Sequence, residues 1–476
     1  MPCGIRPLQE RAQFGHPTVL AVLPITRCPL SVSSASMGTR VPTARPPTTE
    51  GEMARLPRAL APLRSRDYRL LASSMGLSLF AQGLWTVALV WQVVDLGGGP
   101  GALSLAASLQ AAGMLASTLL GGALADRVPQ RRILLGVALL QTTAVGSVAL
   151  LSLAGALALG PLAAASLAGG IAMGLYYPAY SALVPGVVPP GELLAANGLE
   201  GVVRPALAMA AGPAVGGLLV AALSPGAALL ATALTSAAAA ACVAALPTLP
   251  VRREGEHPGL LTDVREGVTY MVRTPWLLAT LLFASLMVLL IMGPFEVLVP
   301  FAVRDRAGGG PAEHAWVLAA FGIGGALGSA VVASVRLPRR YLTVMNLLWG
   351  AGCVPLVVFG ATSELWVMIA AAGLLGAAFE AGTVIWGTLL QRRVPPALLG
   401  RVSSLDFFVS LAFMPLSMAL AGPVSQSVGL TGTFLLAGLV PPVLAVVAVL
   451  AWRLPADELA HPLDQPEAAE PVAAPA

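Results

Sequence analysis

Lysine is absent from this 476-residue chain: all 27 basic residues are arginine. Without lysine there is no P-loop to engage a nucleotide's phosphates and no Schiff-base nucleophile, so an ATP motor within this chain is excluded. Charge of either sign is scarce, at 11% of residues, against roughly 25% in an ordinary soluble domain. The four cysteines, Cys3, Cys28, Cys242 and Cys353, are scattered with no C-x-x-C pair, which points to neither a metal site nor a disulfide framework. The four histidines, His16, His257, His314 and His461, read as tail or loop residues. They therefore supply no cluster at one depth for intramembrane catalysis, so no enzyme, metal or cofactor is expected.

What fills the chain is apolar: 57% of residues are hydrophobic and the mean hydropathy is +0.81. A helix needs about 20 mostly apolar residues to cross a bilayer core. Twelve such segments are legible, at 70–94, 102–124, 133–154, 161–185, 198–222, 226–247, 276–301, 314–335, 342–361, 365–390, 403–424 and 430–452. The expected architecture is an all-α membrane protein with twelve transmembrane helices in two six-helix halves. The longest internal connection, 248–275, divides six segments from six and includes an amphipathic stretch at 262–271. The expected domains are a disordered N-terminal segment (1–66), a first half (67–247), a linker (248–275), a second half (276–453) and a disordered tail (454–476).

The arginines lie almost entirely on one side of this plan. Arg55, Arg58, Arg64, Arg66 and Arg69 precede the first segment, and the other loops on that side hold Arg127, Arg131, Arg132, Arg252, Arg253, Arg265, Arg273, Arg336, Arg339, Arg340, Arg392, Arg393 and Arg401. The opposite loops hold only Arg304 and Arg306. Positively charged loops stay in the cytoplasm, so both termini are expected there, in the plasma (inner) membrane. This arrangement also accounts for the net charge of +4 and the pI of about 9.1, so no nucleic-acid partner is expected. The expected partners are the lipid bilayer and a small-molecule substrate, with the protein acting as a monomer.

The stretch Gly122-Ala123-Leu124-Ala125-Asp126-Arg127-Val128-Pro129-Gln130-Arg131-Arg132-Ile133-Leu134 resembles the loop between the second and third helices of the major facilitator superfamily, G-x-L-a-D-R-x-G-R-R-x-x-L. Gly122, Leu124, Asp126, Arg127, Arg131 and Leu134 match, whereas Pro129 and Gln130 depart from the pattern. Within the superfamily the chain is similar to the exporters of drugs and siderophores, the enterobactin-exporter and macrolide-efflux-like proteins. Pro190–Leu199, Leu390–Val402 and Gly212-Pro213-Ala214-Val215-Gly216-Gly217 carry that likeness. The resemblance implies proton-coupled efflux of small amphipathic compounds by alternating access. It also implies that Asp126, with Arg127, Arg131 and Arg401, latches the cytoplasmic side. The alternatives within the same fold are an importer of a metabolite and a lipid transporter.

Gly212, Pro213, Gly216 and Gly217 resemble the antiporter motif of the fifth helix, with Ala208 where an earlier glycine is usual. Small residues allow close helix approach, so these positions are expected to pack against Gly322, Gly324, Gly325 and Gly328 of the eighth segment, across the two halves. Ionisable residues inside the segments are few: Glu200, Arg204, Glu296, Glu380 and Asp406. Each needs a partner or a wet cavity, because a charge facing lipid costs about 2.5 kcal/mol or more. Glu200 and Arg204 are four apart and read as a mutual pair. Glu380, mid-segment with no cation one turn away, is the first candidate for carrying a proton; Glu296 is the second. Gln82, Trp85, Tyr177, Trp386 and Phe407 are the candidates for contacting substrate, since aromatic faces accommodate flat or cationic molecules.

Overall fold

The computed structural model describes residues 58–125, 128–189, 192–247, 260–335 and 337–463. Every regular element among them is helical. The membrane helices run α1 (Arg66–Asp95), α2 (Pro100–Ala125), α3 (Gln130–Leu153), α4 (Leu159–Val187), α5 (Leu199–Ala222), α6 (Pro225–Ala244), α7 (Pro275–Ala307), α8 (Pro311–Ser334), α9 (Tyr341–Ala361), α10 (Leu365–Arg393), α11 (Pro396–Leu411) and α12 (Met414–Ala451). Ten continuous stretches among the described residues are long and apolar enough to cross a membrane, the last being the 47-residue Leu405–Ala451. Of the expected segments, 102–124 falls on α2, while 403–424 and 430–452 both fall largely within that last stretch, whose backbone breaks at Gly429 inside α12. There the backbone turns through φ 76°, ψ 164°, a left-handed region that glycine enters without a Cβ clash.

The helix starts follow ordinary capping chemistry. Ser65 accepts from the Tyr68 N–H before α1, and Ser224 accepts from the Ala227 N–H before α6. Proline occupies the opening turn of α6, α7, α8 and α11, where its missing N–H costs nothing. At Gly308 (φ 63°) the backbone leaves α7, and the Gly310 N–H donates to the Glu313 carboxylate at 2.7 Å to start α8. Exposed Leu150, Leu218, Leu234, Leu327, Leu374 and Leu450 give the bundle an apolar exterior, as lipid contact demands.

The two halves repeat one crossing. In the first, α2 and α4 touch at glycines: a Cβ on Gly113 would lie 2.7 Å from the Leu167 carbonyl oxygen, and one on Gly170 would strike the Gln110 carbonyl oxygen. In the second, Gly324 and Gly328 of α8 lie against the backbone of Gly373 and Ala377 of α10. The expected α5–α8 packing is therefore realised by only part of its residues. Gly217 meets Pro311 and Ala315, and Gly322 meets Met209, whereas Gly212 and Gly216 pack on Phe80, Gly83 and Leu84 of α1. The reason is steric: the closest backbone approaches fall within each half, and those consume most of the glycines.

Two expected disordered segments are partly ordered. Residues Arg58–Arg64 form a 3-10 turn and α1 begins at Arg66, inside the 1–66 range. In the 454–476 tail, Leu454–Ala460 forms a helix whose Glu458 carboxylate is buried and accepts from the Leu342 and Thr343 N–H groups at 2.8 and 3.1 Å. Those are free donors at the start of α9, so capping supplies the energy that the composition of the tail concealed. Within the linker, Leu260–Arg273 is helical, matching the amphipathic stretch.

Candidate functional site

Apolar packing distinguishes the two ends of the bundle. At the end opposite the arginine loops, both halves share one continuous core. Trp85, Val93, Leu103, Val148 and Leu229 from the first half join Phe283, Met287, Met418 and Ala421 from the second. There the Gly422 N–H donates to Ser104 Oγ at 2.8 Å, and a Cβ on Gly422 would lie 2.8 Å from Gly101 Cα. At the arginine-bearing end, the first half closes on a separate core of its own, built from Tyr68, Leu71, Met75, Leu134, Tyr180 and Leu183. The shared core runs through the second half as far as Trp276, Leu390 and Val394 at its arginine-bearing end, where the first half has a second core of its own.

Near the arginine-bearing end of the first half, α4 and α5 enclose a cavity of about 490 Å³ lined by Tyr177, Tyr180, Ser181, Glu200 and Arg204. Glu200 and Arg204 form the expected pair through an ion-pair hydrogen bond. The Arg204 guanidinium also lies over the Tyr177 ring, 5.2 Å from its centroid. Tyr177 is 55% exposed, so the ring has a free face. Behind it, Tyr176 and Tyr180 stack at 5.8 Å. The cavity offers an aromatic surface beside an already neutralised charge pair, which suits an amphipathic molecule better than a densely charged one.

The second half differs. Glu380 lies half-buried on α10 against Gly325 of α8, where a Cβ would come within 2.8 Å of the Glu380 Cγ. Among the described residues it has no hydrogen bond or ion pair. Glu296 is likewise without one, and it sits in a π-helical turn of α7, Pro294–Leu298. Such turns interrupt the regular ladder and often occur at functional positions. Asp406 is held by neutral donors: Trp386 Nε1 at 3.0 Å and Ser410 Oγ at 3.3 Å.

The remaining candidates separate into two kinds. Trp85 (4% exposed) donates to Gln110 Oε1 at 2.8 Å, and Trp386 (8% exposed) packs on Trp276 and Trp349, so both are parts of the packed interior. Gln82 is half-buried with its amide 3.5 Å from Met173 Sδ, and Phe407 is 50% exposed. Of the latch residues, Leu124 is exposed and Gly122 falls within α2. Asp126 and Arg127 lie outside the described residues, as does the Arg401 side chain. Arg131 binds the end of α6, donating to the Val243 and Ala244 carbonyls at 3.2 and 2.5 Å. His314, expected in a loop, is buried in the first turn of α8, because that helix starts at Pro311, three residues earlier than the apolar run suggested.

The chain matches the family model described as "Transmembrane secretion effector" over residues 58–474. It is similar to the multidrug efflux pump Tap of Mycolicibacterium fortuitum, with 30% identity over 78% of this chain and 92% of the relative. It is also similar to macrolide efflux protein A of Streptococcus pyogenes, with 22% identity over 79% of this chain and 93% of the relative. Among solved structures, its fold resembles a bacterial homologue of the human lysosomal transporter Spinster in an inward-facing, unoccupied conformation (TM-score 0.64, 14% identity, 85% of this chain and 98% of the other). It also resembles the nucleoside transporter NupG (TM-score 0.63, 14% identity, 81% of this chain and 98% of the other).

Proposed function

The chain belongs to the transmembrane secretion effector family of the major facilitator superfamily, and from that premise we propose that it exports small amphipathic compounds from the cytoplasm by proton-driven alternating access. The observation that carries this reading is the contrast between the halves: an aromatic cavity beside the Glu200–Arg204 pair in the first, and acids with no cation among the described residues in the second. With the arginine loops in the cytoplasm, the Tyr177–Arg204 cavity near that end loads cargo from the cell. The Tyr177–Arg204 cavity then receives the aromatic part of the cargo. Glu380 and Glu296 carry the proton, because an acid without a cation can be neutral or charged according to which side it faces, whereas Glu200 is committed to Arg204. The Tap and macrolide efflux relatives support drug-like cargo.

The test is an efflux and susceptibility panel in cells overexpressing the protein, with and without a proton uncoupler. Efflux of at least one lipophilic cationic dye or macrolide, stopped by the uncoupler, is expected. Efflux unaffected by the uncoupler rejects proton coupling, and no efflux of any amphipathic compound rejects the cargo class.

A further inference from the structure

A second cavity, of about 570 Å³, lies at the arginine-bearing surface of the second half, where the linker helix, the start of α7, the end of α10 and the terminal helix meet. Its charged lining is Arg273, Arg392, Arg393, His461 and Asp457. Three guanidiniums face one carboxylate, so the cavity carries an excess of two positive charges with His461 neutral.

These arginines are not equivalent. Arg393 is consumed by the fold: its side chain is 7% exposed, bonds Asp457 at 2.6 Å and lies over the Trp276 ring, 4.6 Å from its centroid. Arg273 and Arg392 are exposed and have no hydrogen bond or ion pair among the described residues. Topology alone explains basic residues at this surface, but it does not require them to converge on one open cavity. The adjoining surface is apolar: Val268 and Val272, one helical turn apart on the linker helix, are 43% and 59% exposed. A helix outside the membrane bundle with an exposed apolar stripe beside arginines is suited to lie in the headgroup layer.

We propose that this cavity binds the phosphate headgroup of an anionic phospholipid, with Arg273 and Arg392 contacting the phosphate and the acyl chains passing along Val268 and Val272. Arg393, fixed by Asp457 and Trp276, forms the floor. The lipid thereby joins the linker helix to the end of α10, on the half that carries Glu380. Basic cavities beside membrane helices recognise headgroups in this way. The proposal needs only the arginine-bearing surface to meet a lipid leaflet, so it stands or falls separately from the cargo and from proton coupling.

The test uses purified full-length protein in detergent, titrated with phosphatidylglycerol or phosphatidylcholine and read by native mass spectrometry. Wild type is expected to retain phosphatidylglycerol in preference to phosphatidylcholine. The Arg273→Gln/Arg392→Gln double variant is expected to bind it roughly 30-fold more weakly, taking about one interfacial cation's worth of attraction from each arginine. Arg132→Gln, which removes an equal type of charge from the first half, is expected to bind as wild type. Should the double variant not fold, Arg392→Gln alone is read, with a loss of roughly fivefold. Equal retention of both lipids by wild type, unchanged binding by the folded variant, or displacement of the lipid by an equal concentration of glycerol 3-phosphate overturns the assignment; the last outcome identifies a site for free phosphate instead.

Discussion

The two halves share a helix-crossing plan and differ in how they treat charge. In the first half, the intramembrane acid Glu200 has its cation four residues away, and the pair opens onto an aromatic cavity. In the second, Glu296 and Glu380 have no cation among the described residues, and Asp406 is held by an indole and a hydroxyl. A carboxylate bonded to its own arginine has its charge offset within the pair. One without must meet water or take up a proton, because bare charge in an apolar environment is costly. The proposed division of labour, cargo contact in the first half and proton exchange in the second, rests on this difference.

Five substitutions break or sharpen that contrast. The largest effect is expected from Gly328→Leu: a Cβ there would already strike the Ala377 carbonyl oxygen, so α8 and α10 cannot close around Glu380. Loss of the folded protein, read as failure to purify as a single species, is expected; normal yield would show that the crossing tolerates spreading. Next, Glu200→Gln or Arg204→Gln alone leaves one charge unpaired, and each is expected to lower the melting temperature by roughly 2–4 °C, with the double variant recovering part of the loss. Simple additivity in that cycle would mean that the two charges do not need each other. Glu458→Gln weakens the cap on α9 and is expected to speed proteolysis of the terminal helix by several-fold while leaving transport intact, which separates anchoring from transport in the second half. The smallest effect is expected from Ser104→Ala. It removes one hydrogen bond at the end opposite the arginine loops, worth about 1 kcal/mol, and should shift the population toward the outward-open state by roughly fivefold. Spin-label distances across that end provide the readout, and an unchanged distribution would deny the bond a role in closure.

Much of the architecture was legible in advance because lipid imposes simple rules. Segment length and apolar composition located the helices to within a few residues, from α1 through the turn at Gly429. The Glu200–Arg204 pair followed from spacing alone. What the sequence concealed depends on distant partners. The roles of Trp85 and Trp386 were hidden because an indole that packs and one that faces a cavity look the same in one dimension. The α1–α5 and α8–α10 crossings redirected glycines expected to meet across the halves. The terminal helix escaped notice because its stability comes from Glu458 reaching the free N–H groups of α9, more than 100 residues away in sequence. A proline in its opening turn, Pro455, and the spacing of Leu454 and Glu458 were the local signs of it.

The central claim is that Glu380, one of the two unpaired acids of the second half, carries the coupling proton. Purified protein in liposomes, given an imposed proton gradient and a transported dye, tests it most directly when wild type is set beside Glu380→Gln. The account predicts that the variant still exchanges dye for dye across the membrane but no longer accumulates dye against its gradient when the proton gradient is applied. Gradient-driven accumulation equal to that of wild type would contradict it.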